Sequence, residues 1–181
     1  MKIFLAGSIS TRELPKEVRA RLLDLSVLGH EFIVGDAHGA DLAFQKALSQ
    51  NQATLVSVYY SGPQPRNNVA RWPSRRENSA QAKSGYRMHG QKDAAMAKLA
   101  DMGLMIWDGK SKGTLANCIN LVREGKPCEL WILPEQRFSC LKSEQDLETL
   151  SGISPESDEA LLQAYKRTKG HRGQNNDLTL F

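Results

Sequence analysis

Apolar positions in the first 134 residues alternate between two spacings. Continuous or period-two apolar runs at 3–6, 31–34, 54–60, 104–107 and 128–133 predict five strands, bounded by Gly, Asp, Ser and Pro. Between them, apolar residues recur every three or four positions. Leu14, Val18, Leu22, Leu25 and Leu28 predict a helix over 11–28 that stops at Gly29, and Ala40, Phe44, Ala47 and Leu48 predict one over 39–50. Two more helices are predicted over 91–100 and 115–123, the last ending at Gly125. Residues 61–88 carry Pro and Arg without periodicity and are expected to form a long irregular loop. After Pro134 the alternation breaks. A short strand over 137–141 and helices over 143–150 and 155–168 are expected to form an extension, followed by a flexible tail over 170–181.

Strand–helix alternation predicts an α/β fold: a Rossmann-like, doubly wound parallel sheet of about five strands with helices on both faces. Its domain over 1–134 would be followed by the extension over 135–169 and the tail. In such sheets ligands bind beyond the carboxyl ends of the strands. That rule gathers Gly7 and Ser8, the loop from Asp36 to Asp41, the start of the 61–88 stretch and the loop from Asp108 to Thr114 at one place.

The last of these loops carries the plainest chemistry. Trp107-Asp108-Gly109-Lys110-Ser111-Lys112-Gly113-Thr114 joins a buried strand to a helix. A Gly/Ser-rich turn there points unsatisfied N–H groups outward at the positive end of the helix dipole and suits a phosphate. Gly113 and Thr114 would form the cradle, Ser111 would add a hydroxyl and Lys112 a cation, with Gly109 among the nucleotide-binding residues of the turn. The same residues also make an ordinary capped turn. Asp108 reads as a ribose-binding or catalytic carboxylate, or as the turn residue of an Asp-Gly pair. Asp36 ends a strand where acidic residues often hold ribose. Asp41 reads as a cap, Gly39 and Ala40 as permitting close backbone approach, and His38 as an exposed loop residue or an acid/base group. Arg66, Asn67 and Asn68 have donors that reach a phosphate or a base edge. Trp72 and Tyr86 have rings that stack on a base, whereas Trp107 reads as core.

Charge adds a second partner class. The net charge is +4, but Arg66, Arg71, Arg75, Arg76, Lys83, Arg87 and Lys92 face Glu77 alone between Gly62 and Lys92. Lys166, Arg167, Lys169 and Arg172 form another group. Such clusters are either solvated loops or the footprint of a nucleic acid, with Arg71, Arg75, Arg76 and Arg87 as its candidate contacts. Forty per cent of the residues are apolar, yet no run is long enough to span a membrane. The apolar start, Met1 to Gly7, is too short for a signal peptide and turns polar at Ser8. Cys118, Cys128 and Cys140 form no paired spacing, which suits a reducing cytoplasm and predicts neither a disulfide framework nor a metal site. No cofactor is expected.

Gly35-Asp36-Ala37-His38-Gly39-Ala40-Asp41 resembles the G-x-x-x-G-A-D turn of the SLOG superfamily. Trp107 to Thr114, followed by Gly125-Lys126-Pro127, also resembles that superfamily. It joins DNA-processing protein A to the LOG-type, cytokinin-activating phosphoribohydrolases. Ile3-Phe4-Leu5-Ala6-Gly7-Ser8 is similar to the opening of nucleoside 2-deoxyribosyltransferases. The resemblance covers roughly 1–134. It implies a Rossmann-like fold, a nucleotide, nucleotide-derived signal or single-stranded DNA as ligand, and a homodimer. The phosphoribohydrolases carry their catalytic glutamate three residues after the threonine of this turn. Asn117 stands there in this chain, and an amide is neither a nucleophile nor a proton carrier at neutral pH. An N-glycosidase would then depend on Asp36 and Asp108. The end, Asp177-Leu178-Thr179-Leu180-Phe181, resembles the bacterial sliding-clamp-binding peptide, with Asp177 in place of its glutamine. Leu178, Leu180 and Phe181 would dock in a clamp or fold back on the domain. Three readings follow: a nucleotide-binding protein with possible N-glycosidase activity, a single-stranded DNA binder tethered to the clamp, and a nucleotide sensor without turnover.

Overall fold

A computed structural model describes residues 1–77 and 85–169, without the side chains of 85–89 and 169. Its strands are β1 (Lys2–Gly7), β2 (Glu31–Gly35), β3 (Val56–Tyr60), β4 (Ser74–Arg76), β5 (Met102–Trp107), β6 (Cys128–Ile132) and β7 (Arg137–Leu141). The helices are α1 (Lys16–Val27), α2 (Ala40–Gln50), α3 (Gly85–Leu99), α4 (Lys112–Arg123), α5 (Glu144–Glu148) and α6 (Ser157–Lys169). The strands form one sheet in the order β4-β3-β2-β1-β5-β6-β7, parallel except for β7.

Alternate residues along each strand build two cores. Ile3, Leu5, Phe32 and Val34 pack with Val18 and Leu22 of α1 and Phe44 and Leu48 of α2. Phe4, Ala6, Ile33, Met105 and Trp107 pack on the other side with Met96 of α3, Leu115 and Ile119 of α4, Leu147 of α5 and Ala160 and Ala164 of α6. The sheet is therefore covered on both faces, as period-two strands buried on both sides require. The extension beyond Pro134 contributes to the second of these cores.

Three local differences from the sequence expectation have physical reasons. α1 begins at Lys16, not at Thr11, because Pro15 sits at its N-cap and disfavours helical backbone at the residue before it. The stretch over 61–88 is not wholly irregular. It holds β4, whose Ser-Arg-Arg is exposed at the sheet edge and leaves no apolar pattern, and the first turn of α3, which starts at Gly85. With β4 and β7 added, the sheet has seven strands among the described residues instead of about five.

The winding reverses at β1. α1 and α2 carry the chain away from it on one face, and α3 and α4 carry it back past β1 on the other. The loops after β1 and β5 diverge there, which opens a crevice at the carboxyl ends of the central strands.

Candidate functional site: a cleft at the carboxyl ends of the central strands

A cleft of about 280 Å³ lies at this reversal. Gly7 and Ile9 line it after β1, Gly35, Ala37, His38 and Asp41 after β2, and Arg66 after β3. Lys92 and Asp93 come from α3, and Ser111, Gly113, Thr114 and Asn117 from α4. Two glycines make the close approaches. A Cβ on Gly7 would lie 2.6 Å from the Ile106 carbonyl oxygen and 2.8 Å from the Ala40 Cβ. Gly39 has φ +78°, and a Cβ there would overlap the backbone of Ile9.

α4 opens onto this cleft. Ser111 is its N-cap, and the Ser111 hydroxyl accepts from the Thr114 N–H at 3.4 Å and from the Thr114 hydroxyl at 3.0 Å. The N–H groups of Lys112 and Gly113, in the first turn, have no intrahelical acceptor by helix geometry. The preceding turn is rigidly built. Asp108 Oδ1 accepts from the N–H groups of Lys110 (3.2 Å) and Ser111 (2.8 Å), and Oδ2 accepts from the Ser10 hydroxyl (2.7 Å). Burial works to raise the Asp108 pKa, but these hydrogen bonds hold it below the usual carboxylate range. Gly109 has φ +88°, and its carbonyl accepts from the Ser154 hydroxyl at 2.6 Å. Ser8 is fully buried: its hydroxyl accepts from the Asp108 N–H, and its carbonyl accepts from the Ala40 N–H. Ser8 thereby ties together the loops after β1, β2 and β5.

The floor of the cleft is charged. Asp36 is 1% exposed and ion-paired to Arg66. The guanidinium donates Nε to Oδ2 (2.9 Å) and Nη2 to Oδ1 (2.8 Å), and the Arg66 N–H donates to Oδ2 (3.1 Å). Lys92 Nζ lies 3.6 Å from Asp36 and 3.7 Å from Asp93. Burial alone would raise the Asp36 pKa, but Arg66 and Lys92 bring it down to about 2. Lys92 is itself buried, which favours its neutral form, yet Asp93, Asp41 and Asp36 keep its pKa above the ordinary value. Asp41 differs: burial pushes its pKa up to about 6. Its Oδ2 accepts from the Ala37 N–H at 3.2 Å and occupies the space that a side chain on Gly35 would fill.

The sequence candidates thus divide. Gly7, Asp41, Arg66, Ser111, Gly113 and Thr114 line the cleft; Ser8, Gly39 and Ala40 shape its walls; and Lys112 is exposed in the first turn of α4. Asn67 and Asn68 are occupied by the loop itself. Asn67 Nδ2 donates to the Asp36 carbonyl, and Asn68 makes both of its bonds to the Trp72 backbone. Trp72 is buried, with its indole N–H on the Ala53 carbonyl, and Trp107 is fully buried. Arg71 precedes β4 at the end of the sheet away from the cleft, whereas Arg75 and Arg76 are exposed on β4 beside Tyr59 and Tyr60. Arg87 begins α3, but its side chain is outside the described set, as is that of Tyr86. Leu178, Leu180 and Phe181 lie outside the described residues altogether.

The sequence pattern shows Lys92 only as part of a basic cluster and does not mark Asp93, yet both line the cleft. A signal existed: Lys92, Met96 and Ala100 share one helical stripe, and all three are buried. A charge on an apolar stripe calls for a buried partner. Among the described residues no group of His, Cys, Asp and Glu side chains is arranged to hold a metal ion, and no helix is long and apolar enough to cross a membrane.

No protein-family model matches the chain, and no curated protein matches it in sequence. Among solved structures it superposes on DNA processing protein A from Helicobacter pylori, a structure described for that protein's single-stranded DNA binding mode. The TM-score is 0.52 at 15% identity, over 94% of this chain and 81% of the other. At that identity the likeness shows the fold alone: a Rossmann-like α/β sheet, as the strand pattern predicted.

Proposed function

We propose that the protein binds the phosphate-bearing part of a nucleotide in this cleft and does not cleave it. The observation that carries this reading is the first turn of α4, whose Ser111, Gly113 and Thr114 face the same cavity as Arg66 and Lys92. Helix N–H groups, a hydroxyl and nearby cations are the usual elements of an anion site. The state of Asp36 and Asp108, the two carboxylates on which an N-glycosidase here would depend, speaks against turnover by them. Asp36 accepts three donors from Arg66 and Asp108 accepts from Ser10, Lys110 and Ser111, and both have depressed pKa values, so neither is poised as a proton carrier near neutrality. Asn117 lines the cleft where the phosphoribohydrolases would present glutamate.

Calorimetric titration with nucleoside monophosphates and dinucleotides tests binding, with mass spectrometry for free base as the check on turnover. Gly113→Asp is the informative variant. A carboxylate in the first turn of a helix is compatible with the fold but occupies the phosphate position. Saturable binding that weakens about tenfold or more in this variant, corresponding to roughly 1.4 kcal/mol, is expected. Equal binding by both proteins would overturn the α4 site, and release of free base would overturn the absence of turnover.

A second reading, single-stranded DNA, is favoured by one observation. Arg75 and Arg76 are exposed on β4, near the same sheet edge as Arg66. The protein of similar fold is described with a single-stranded DNA binding mode. Binding of a labelled oligothymidine that weakens steeply with salt would support this reading.

A further inference from the structure

The charge cluster at the cleft holds more acid than base. Asp41 at the start of α2 and Asp93 on α3 line the cleft, and Asp36 after β2 is buried behind them on Arg66 and Lys92. Two cations face them, Lys92 from α3 and Arg66 from the loop after β3. Arg66 is committed to Asp36 in a bidentate pair. Lys92 is shared by all three carboxylates: its Nζ lies 3.6 Å from Asp36 and 3.7 Å from Asp93, and it also sits beside Asp41 over Gly35. Asp41 therefore has one backbone donor, from Ala37, and a share in a single cation on which two other carboxylates also draw. It fills the slot made by the missing side chain of Gly35, at the cleft wall. With all five groups ionised, the cluster carries one net negative charge; with Asp41 protonated it is neutral. An incoming phosphate meets this difference directly, because like charges in a partly desolvated site repel strongly.

We propose that Asp41 carries a proton when an anionic phosphodiester occupies the cleft, so that binding takes up one proton from solution. This rests on the binding reading above and deepens it: Asp41 tunes the site toward anions and makes occupancy depend on pH. Burial already pushes Asp41 up to about 6, so an added anion acts on a carboxylate that is half protonated just below neutrality. Lys92 works the other way and favours the ionised form, and Asp36 and Asp93 oppose it. His38 also lines the cleft and must be controlled for.

The probe is a thymidine dinucleoside monophosphate, whose single diester charge is constant across the range used. Calorimetry on the whole protein, repeated in two buffers of different ionisation enthalpy, measures proton uptake without any substitution. Near pH 7 it is expected to approach one proton per site, and affinity is expected to weaken about tenfold between about pH 6 and 7.5. Asp41→Asn, which keeps an acceptor for the Ala37 N–H, is expected to abolish the uptake and hold the low-pH affinity throughout. His38→Gln is expected to leave the uptake in place. Binding without proton uptake, or uptake that disappears in His38→Gln and persists in Asp41→Asn, would overturn this inference and leave the binding reading standing. No binding at either pH would remove both.

Discussion

Single residues at the cleft are set by where charge is buried. Asp36, Arg66 and Lys92 form a network in which each cation compensates a carboxylate that burial would otherwise neutralise. Asp36→Asn removes the anion and leaves Lys92 short of a partner in a buried site. A loss of about 3 kcal/mol at neutral pH is expected, read by chemical denaturation. Its pH dependence has a definite sign. The Asp36 pKa is lowered from 3.8 to about 2, so its contribution is complete above 3.8 and fades as pH falls through 2. The gap between parent and variant should close over that window. Asp41 runs the opposite way. Its raised value favours the folded state below 3.8, and that advantage is lost as pH rises through about 6. Asp41→Asn should therefore raise Tm at about pH 8 and do little at about pH 4. Gly39→Ala combines a positive φ with overlap on the Ile9 backbone, and should cost more than about 1 kcal/mol and disturb the wall of the cleft. These roles were only partly legible beforehand. The spacing of Gly35, Gly39 and Asp41 marked a tight turn, and the α4 turn showed in its Gly and Ser content. That Asp36 would be consumed by Arg66, 30 residues on, depends on a loop path that no local pattern encodes.

At the scale of elements, α4 links the site to the rest of the fold. Its amino end opens on the cleft, its buried face packs on β5, and α6 lies against it through Ala160 and Ala164. Ala164 is fully buried, so Ala164→Leu forces a larger side chain between the two helices. A destabilisation of about 1–3 kcal/mol is expected by thermal melting. The same displacement would be read at the cleft as weaker nucleotide binding, because Ser154, just before α6, also holds the Gly109 carbonyl. Strands and helices that bury a face are visible as period-two and period-3.6 patterns, including α6. β4 is not, because an exposed edge strand of Ser-Arg-Arg buries nothing that a pattern can register. The long segment before it is pinned by Gln45 instead. This fully buried side chain on α2 donates to the Gly35 and Asn67 carbonyls and accepts from the Val69 N–H.

Across the whole molecule, the carboxyl edge of the sheet separates two uses of positive charge. Lys92 and Arg66 are engaged inside the cleft, and Arg75 and Arg76 are exposed on the outermost parallel strand. If single-stranded DNA runs along this edge, Arg75→Glu with Arg76→Glu should weaken binding uniformly across sequences. It should also lower the slope of log affinity against log salt by about 1.4, near 0.7 per phosphate contact. Nucleotide binding in the cleft should be unchanged in the same protein, which separates the two readings in a single preparation.

By itself, the sequence determined the layered architecture. Apolar periodicity sorts residues onto the two faces of a parallel sheet, and chain order then puts the loops after β1, β2, β3 and β5 at one edge. Tertiary structure alone decided which charges meet. Lys92 reaches Asp36 from 56 positions away, and Asp41 shares that same lysine in place of holding a cation of its own. The physical reason is range: periodicity is set by neighbours three or four residues apart, whereas an ion pair is set by the crossover that carries one element over another.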